Sequence, residues 1–211
     1  MKKFDTSLYF ITDSNNYTRE EFLFRIEEAL KGGVTLLQLR EKNKPTIEYI
    51  ELAEKVHDLT KRYNVPLIID DRIDIALAVG AEGVHLGKDD MPISTARKIL
   101  GDPFIIGATV KTVQLALEAY EDGADYLGVG AIYPTTTKVK TVLTSTEVLA
   151  NICKAIPIPV NAIGGLNKNN IDVLTDIPIA GICVVSAIMG AENPKTAAIE
   201  LKGRAKEIGI I

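Results

Sequence analysis

Eight short runs rich in Val, Ile and Leu, at roughly 7–12, 35–40, 66–70, 83–87, 104–109, 126–132, 159–163 and 181–186, punctuate the chain from end to end. Each is bounded by turn residues and reads as a strand. They show little polar alternation, as parallel strands covered on both faces do. Between them lie segments with helical periodicity: Phe22, Leu23, Ile26 and Leu30; Leu52, Val56, Leu59 and Tyr63; Leu115, Ala116, Ala119 and Tyr120; and, last, Ala197, Leu201, Ala205 and Ile208. Eight strand–helix units at a spacing of roughly 20–30 residues predict an α/β fold, a (β/α)8 barrel of eight parallel strands. A doubly wound open sheet is the alternative arrangement of the same units.

Punctuation agrees with this frame. Gly32, Gly80 and Gly123 each follow a helical stretch, where a left-handed C′ residue is expected. Pro194 stands where a last helix would begin, a position that loses nothing by lacking an N–H. The 211 residues suit one domain, 1–211, and neither composition nor any low-complexity run marks a linker.

Composition narrows function mainly by exclusion. The formal charge of −4 offers no general attraction to nucleic acid or anionic lipid, and no basic run with interleaved aromatics occurs. No apolar run approaches the roughly 20 residues that span a bilayer, and the N-terminus lacks the pattern of a secretory signal, so a cytoplasmic location is expected. Cys153 and Cys183 fall in no metal-binding spacing and are expected to be reduced, buried packing residues. A homo-oligomer is left open.

In such a barrel the chemistry sits at the C-terminal ends of the strands. Asp71 and Asp90 follow the third and fourth strands, where two carboxylates could converge on one Mg2+, the rest of its shell being water and phosphate oxygens. The bland reading of each is a helix N-cap. Arg40, Lys42 and Lys138 form a cationic group, with Arg72, Lys88 and Lys140 nearby. Arg matches phosphate through its planar fork, and Lys acts as a mobile point charge. Arg40 directly follows an apolar strand, where an idle charge is awkward. Gly164 and Gly165, with Val185 and Ser186, end strands seven and eight, the loops that often hold phosphate in barrels. His57 is expected on an exposed or flanking helix position. For His85, in strand four, ligand contact and packing inside the barrel are both open readings. No Ser/His/Asp or Cys/His nucleophile arrangement is evident.

QLREK at 38–42, DDR at 70–72, HLGKDD at 85–90, PTTTK at 134–138, IGG at 163–165 and VVSAI at 184–188 occur in this order. Together they resemble the thiamine phosphate synthase family over nearly the whole chain. PTTTK after strand six combined with LREK after strand two is the specific part; IGG and VVSAI alone are not. The resemblance implies a transferase that moves an aminopyrimidine methyl group from its diphosphate to a thiazole phosphate. The partners would be these two phosphorylated small molecules and the cofactor one Mg2+ ion. It implies Asp71 and Asp90 as metal ligands, and Arg40, Lys138 and Thr109 as catalytic contacts. Gln38, Leu39, Arg40, Glu41, Lys42, Asp70, Thr109 and Lys138 would form the pyrimidine diphosphate site. Thr135, Thr136, Thr137, Gly165, Val185 and Ser186 would form the thiazole phosphate site. Three positions depart from the family's pattern: Asp70 where Asn is usual, Thr109 where Ser is usual, and Lys140 where an acidic residue is common. The alternatives are a thiazole tautomerase of the same fold, which does not keep these aspartates and cations together, and a non-catalytic phosphate-metabolite binding barrel.

Overall fold

A computed structural model describes residues 4–135 and 142–211. Its strands are β1 (Leu8–Ile11), β2 (Leu36–Leu39), β3 (Leu67–Asp70), β4 (Gly83–Leu86), β5 (Ile105–Val110), β6 (Tyr126–Gly130), β7 (Val160–Ile163) and β8 (Gly181–Val184). All pair in parallel and in chain order, and β8 returns to β1 with Tyr9 beside Cys183, so the sheet closes into a barrel. Closure excludes the open-sheet alternative.

Both faces of the strands are buried, for two different reasons. One set of alternate residues, including Phe10, Leu37, Leu39, Ile69 and Leu127, points outward and packs with helix residues such as Phe22, Ile26 and Val56 in one large cluster. The other set points inward: Tyr9, Ile11, Leu36, Ile68, Ile105, Tyr126 and Cys183 form a small apolar plug. Glycines make room for it. A Cβ on Gly107 would lie 2.1 Å from the Tyr126 ring, so an inward-facing glycine is what admits that tyrosine. Above the plug, toward the C-terminal rim, the inward positions become polar with Gln38, Asp70, His85 and Thr109.

The outer layer comprises α1 (Arg19–Lys31), α2 (Thr46–Arg62), α3 (Ile73–Val79), α4 (Ile93–Leu100), α5 (Val113–Glu121), α6 (Thr146–Ala155), α7 (Ser186–Met189) and α8 (Pro194–Glu207). Between β7 and β8 only a 3-10 turn, Ile171–Leu174, stands where the other units have an α-helix. Pro194 opens α8 as expected, with the Asn193 side chain capping it. None of the helices is long and apolar enough to cross a membrane, among the described residues.

Three expectations need correction. Gly32 has φ −78° and is not left-handed; the positive φ belongs to Gly33 at 92°. Gly32 is needed for space instead, since a Cβ there would lie 2.6 Å from both the Ala198 side chain and the Lys195 carbonyl. His57 is 3% exposed, not flanking. Its Nδ1 lies 3.1 Å from the Val79 carbonyl and its Nε2 3.1 Å from Glu82, whose other oxygen accepts the Leu67 N–H, so it fastens α2 to the entry of β3. Cys183 is buried inside the barrel, but Cys153 is only half-buried on α6.

Candidate active site

The C-terminal rim encloses a cavity of about 300 Å3, at the lower end of ligand-site sizes. Of the residues singled out in the sequence, Gln38, Arg40, Lys42, Asp70, Asp71, Asp90, Thr109, Thr135, Gly165, Val185 and Ser186 line it. Leu39 and Glu41 do not. Strand alternation turns Leu39 outward against the helices, and Glu41, two residues past β2, accepts a hydrogen bond from Ser14 at 2.8 Å. Thr136, Thr137, Lys138 and Lys140 lie outside the described residues.

On one wall the end of β3 delivers two consecutive aspartates to the same space. Alternation should send them to opposite faces. Asp71, however, has φ 60°, a left-handed conformation that Asp tolerates better than most residues, and the turn brings its carboxylate back to the cavity. The Asp71 N–H donates to the His85 carbonyl at 2.9 Å, which ties this turn to β4. Asp90 folds back over its own turn, its Oδ2 accepting the Gly87 N–H at 2.7 Å. Neither aspartate is a helix cap: Arg72 precedes α3 and Pro92 precedes α4, both without a side-chain cap.

Cations fill the same wall. Lys42 Nζ is 2.9 Å from Asp70 and also contacts Asp71, while Arg40 Nε is 3.6 Å from Asp70. Partial burial works against the Lys42 ammonium, yet Asp70 and Asp71 outweigh it and hold its pKa above the ordinary value. Burial raises the Asp70 carboxyl despite the pull of Lys42 and Arg40. Asp90 is raised too, first by burial and then by its approach to Asp71. At both carboxyls burial is the leading cause, and it outweighs the pull of the neighbouring cations. Arg72 leaves this group, since it pairs with Asp74 and Thr46. Lys88 does not line the cavity, whereas Lys111, which the sequence reading missed, does. Lys111 Nζ donates to the Gly130 and Val142 carbonyls at 2.7 and 2.8 Å. Its signal was the one that flagged Arg40: a charge directly after an apolar strand.

The opposite wall is made by glycine. Gly164 and Gly165 have φ of 105° and 65°, and a Cβ on either would lie within 2.7 Å of Ala131 or Tyr133. Side chains are therefore excluded, and backbone lines the cavity beside Val185 and Ser186.

Beneath the cavity, four hydrogen bonds link polar groups across the barrel. Gln38 Nε2 donates to the Tyr9 hydroxyl at 2.6 Å, and the Tyr9 and Tyr126 hydroxyls are 2.7 Å apart. Tyr126 is 3.0 Å from His85 Nδ1, and His85 Nε2 is 2.8 Å from Thr109 Oγ1. Burial holds both phenols well above their ordinary pKa range, so both keep their protons. Sequence reading missed Tyr9 and Tyr126 because single aromatics in apolar strands read as core.

The sequence profile described as thiamine monophosphate synthase matches residues 8–188. The chain belongs to that family. Among curated members of the thiamine monophosphate synthase family, Thiamine-phosphate synthase 2 of Streptococcus pneumoniae is 52% identical over 186 residues, 88% of this chain and 89% of its own. Thiamine-phosphate synthase of Clostridium tetani is 48% identical over 202 residues, covering 96% and 97%. A solved structure, thiamine phosphate pyrophosphorylase from Pyrococcus furiosus, superposes with a TM-score of 0.87 at 42% identity, covering 96% of both chains. Membership in the thiamine phosphate synthase family makes this chain an enzyme, a transferase.

Proposed function

We propose that the chain makes thiamine phosphate: it transfers a 4-amino-2-methylpyrimidin-5-ylmethyl group from its diphosphate to a thiazole phosphate, releasing diphosphate. The observation that carries this reading is the gathering of Arg40, Lys42, Asp70, Asp71 and Asp90 on one wall of a cavity whose other wall is glycine backbone.

The step breaks the bond between the pyrimidine methylene and diphosphate oxygen, and the electron pair leaves with the diphosphate. The thiazole nitrogen then supplies its own pair to the methylene carbon. No protein nucleophile or strong base takes part, consistent with a wall built of charges. Arg40 and Lys42 stabilise the negative charge that builds up on the leaving group. Lys138 is assigned the same role from its place in the PTTTK motif. Gln38, Asp70 and Thr109 orient the pyrimidine, and the backbone around Gly165 and Ser186 receives the thiazole phosphate. Holding both substrates in one cavity supplies much of the remaining acceleration.

Asp71 and Asp90 suit one Mg2+. They are hard oxygen donors, neither is used as a helix cap, and the Asp90 carboxyl is raised by burial first and then by its approach to Asp71, a closeness that a divalent cation relieves. Among the described residues no group of three such ligands stands ready for a metal. Two carboxylates would leave the rest of the ion's shell to water and phosphate oxygens. When bound, it would supply further neutralisation of the leaving diphosphate.

The experiment is turnover of both substrates by the purified protein, followed as thiamine phosphate and diphosphate. Excess chelator should abolish it and Mg2+ should restore it. Asp71→Ala and Lys138→Ala should each lower the rate at least a hundredfold, on the order of one lost electrostatic contact to a developing charge, with far-UV circular dichroism unchanged. Turnover indifferent to chelator, or full activity in both variants, contradicts the reading.

A further inference from the structure

The chain of hydrogen bonds under the cavity has a direction. An amide nitrogen only donates, so at the Gln38 end the Tyr9 oxygen is the acceptor. Tyr9 is wholly buried, and its single proton has one partner among the described residues, the Tyr126 oxygen. The reverse arrangement, with Tyr126 donating to Tyr9, strands the Tyr9 proton in the barrel interior at the desolvation cost of an unmade bond. Tyr126 therefore donates onward to His85 Nδ1. A neutral imidazole that accepts at Nδ1 carries its proton on Nε2 and donates there. The acceptor is Thr109 Oγ1, which keeps its own proton for a further bond. Thr109 and Gln38 both line the cavity. One end of the chain thus presents a hydroxyl donor, and the other an amide whose carbonyl oxygen remains to accept.

We propose that His85 is a positioning residue that fixes the Thr109 hydroxyl as a hydrogen-bond donor to a ring nitrogen of the heterocyclic substrate, its tautomer set by Gln38 through Tyr9 and Tyr126. The substrate assignment rests on the synthase reading; the polarity of the chain does not. An aminopyrimidine carries the complementary pair, an amine that donates and ring nitrogens that accept. A heterocycle bound in the wrong orientation would face donor with donor. Such a mismatch leaves a polar group unpaired, which discriminates more strongly than a missing methylene.

Two measurements test this in the full chain. Nitrogen-15 NMR at neutral pH, which needs no substrate, should find His85 as the Nε2–H tautomer. In Tyr126→Phe, which removes the donor to Nδ1, that tautomer should no longer be the single species. A wild-type Nδ1–H tautomer overturns the proposal whether or not the protein turns over. Kinetics supply the second test. Thr109→Val and His85→Ala should each lower kcat/KM for the pyrimidine diphosphate about tenfold, the size of one hydrogen bond, with KM for the thiazole phosphate unchanged. The double variant should be no worse than Thr109→Val, because His85 acts only through that hydroxyl. His85→Gln, which can place an amide N–H near Nε2, should recover most of the loss. Additive losses in the double variant, or no recovery in a folded His85→Gln, overturn the proposal while leaving the synthase reading intact. Absence of turnover in the wild type would remove the synthase reading, and the tautomer would then decide the polarity alone.

Discussion

Cys153 and Cys183 show how position decides the chemistry of one side-chain type. Burial raises both thiols: Cys183 lies wholly inside the barrel, and the half-buried Cys153 is pushed up to about 11. The thiolate is the reactive form, so Cys153 should react with iodoacetamide at pH 8 about a hundredfold more slowly than free cysteine. Cys183 should react only on unfolding. Peptide mass spectrometry over a time course checks both, and rapid native alkylation of Cys183 would show that the plug opens. Residue identity alone was similarly insufficient at the rim. Arg40 was legible because a charge ending an apolar run has few structural uses, Asp71 and Asp90 because two carboxylates follow neighbouring strands, and Asp70 through the motif around it. Leu39 and Glu41 were carried along by the motif around them, although strand parity turns Leu39 behind the wall and Glu41 is engaged by Ser14. Asp71 was found in spite of parity, since its left-handed turn is not written in any pattern of apolar residues.

Among the elements, the strands were the most legible part. An apolar run bordered by turn residues is a local signal, and all eight runs lie at β1 to β8 within a few residues. The β7–β8 connection is different: it carries only a 3-10 turn, and its sequence offers no helical apolar stripe to read. The contact between β5 and β6 was invisible for another reason. Gly107 and Tyr126 are opposed in the register of these strands, and glycine opposite a large aromatic becomes meaningful only when pairing is known. Gly107→Ala should therefore cost about 1–3 kcal/mol, as overpacking does, and should lower activity by displacing the Tyr126 ring that links Tyr9 to His85. Thermal denaturation with parallel assays checks it. Unchanged stability and activity would mean that the plug has slack which the 2.1 Å approach denies.

At the scale of the whole molecule, the closed barrel brings residues from β1, β2, β4, β5 and β6 into one hydrogen-bonded line, a relation among sequence-distant positions that no local pattern encodes. It also gathers three carboxylates on one wall, and the protein meets that excess with Lys42. Held between Asp70 and Asp71, this ammonium serves as a tethered counter-ion for the free enzyme. On the proposed reading, a metal entering the wall would displace a charge already in place, and the released ammonium would be at hand for the incoming anion. Ion and diphosphate loading should consequently be an exchange and not two separate events. By calorimetry, inorganic diphosphate should tighten Mg2+ binding about tenfold, and Mg2+ should tighten diphosphate binding by the same factor, as reciprocity of linked sites demands. In Lys42→Met, Mg2+ alone should bind more tightly than in the wild type while that mutual gain shrinks; unaltered linkage would mean that Lys42 is a bystander. On the proposed reading, a side chain that would attract the leaving group in one state balances two carboxylates of its own wall in the other.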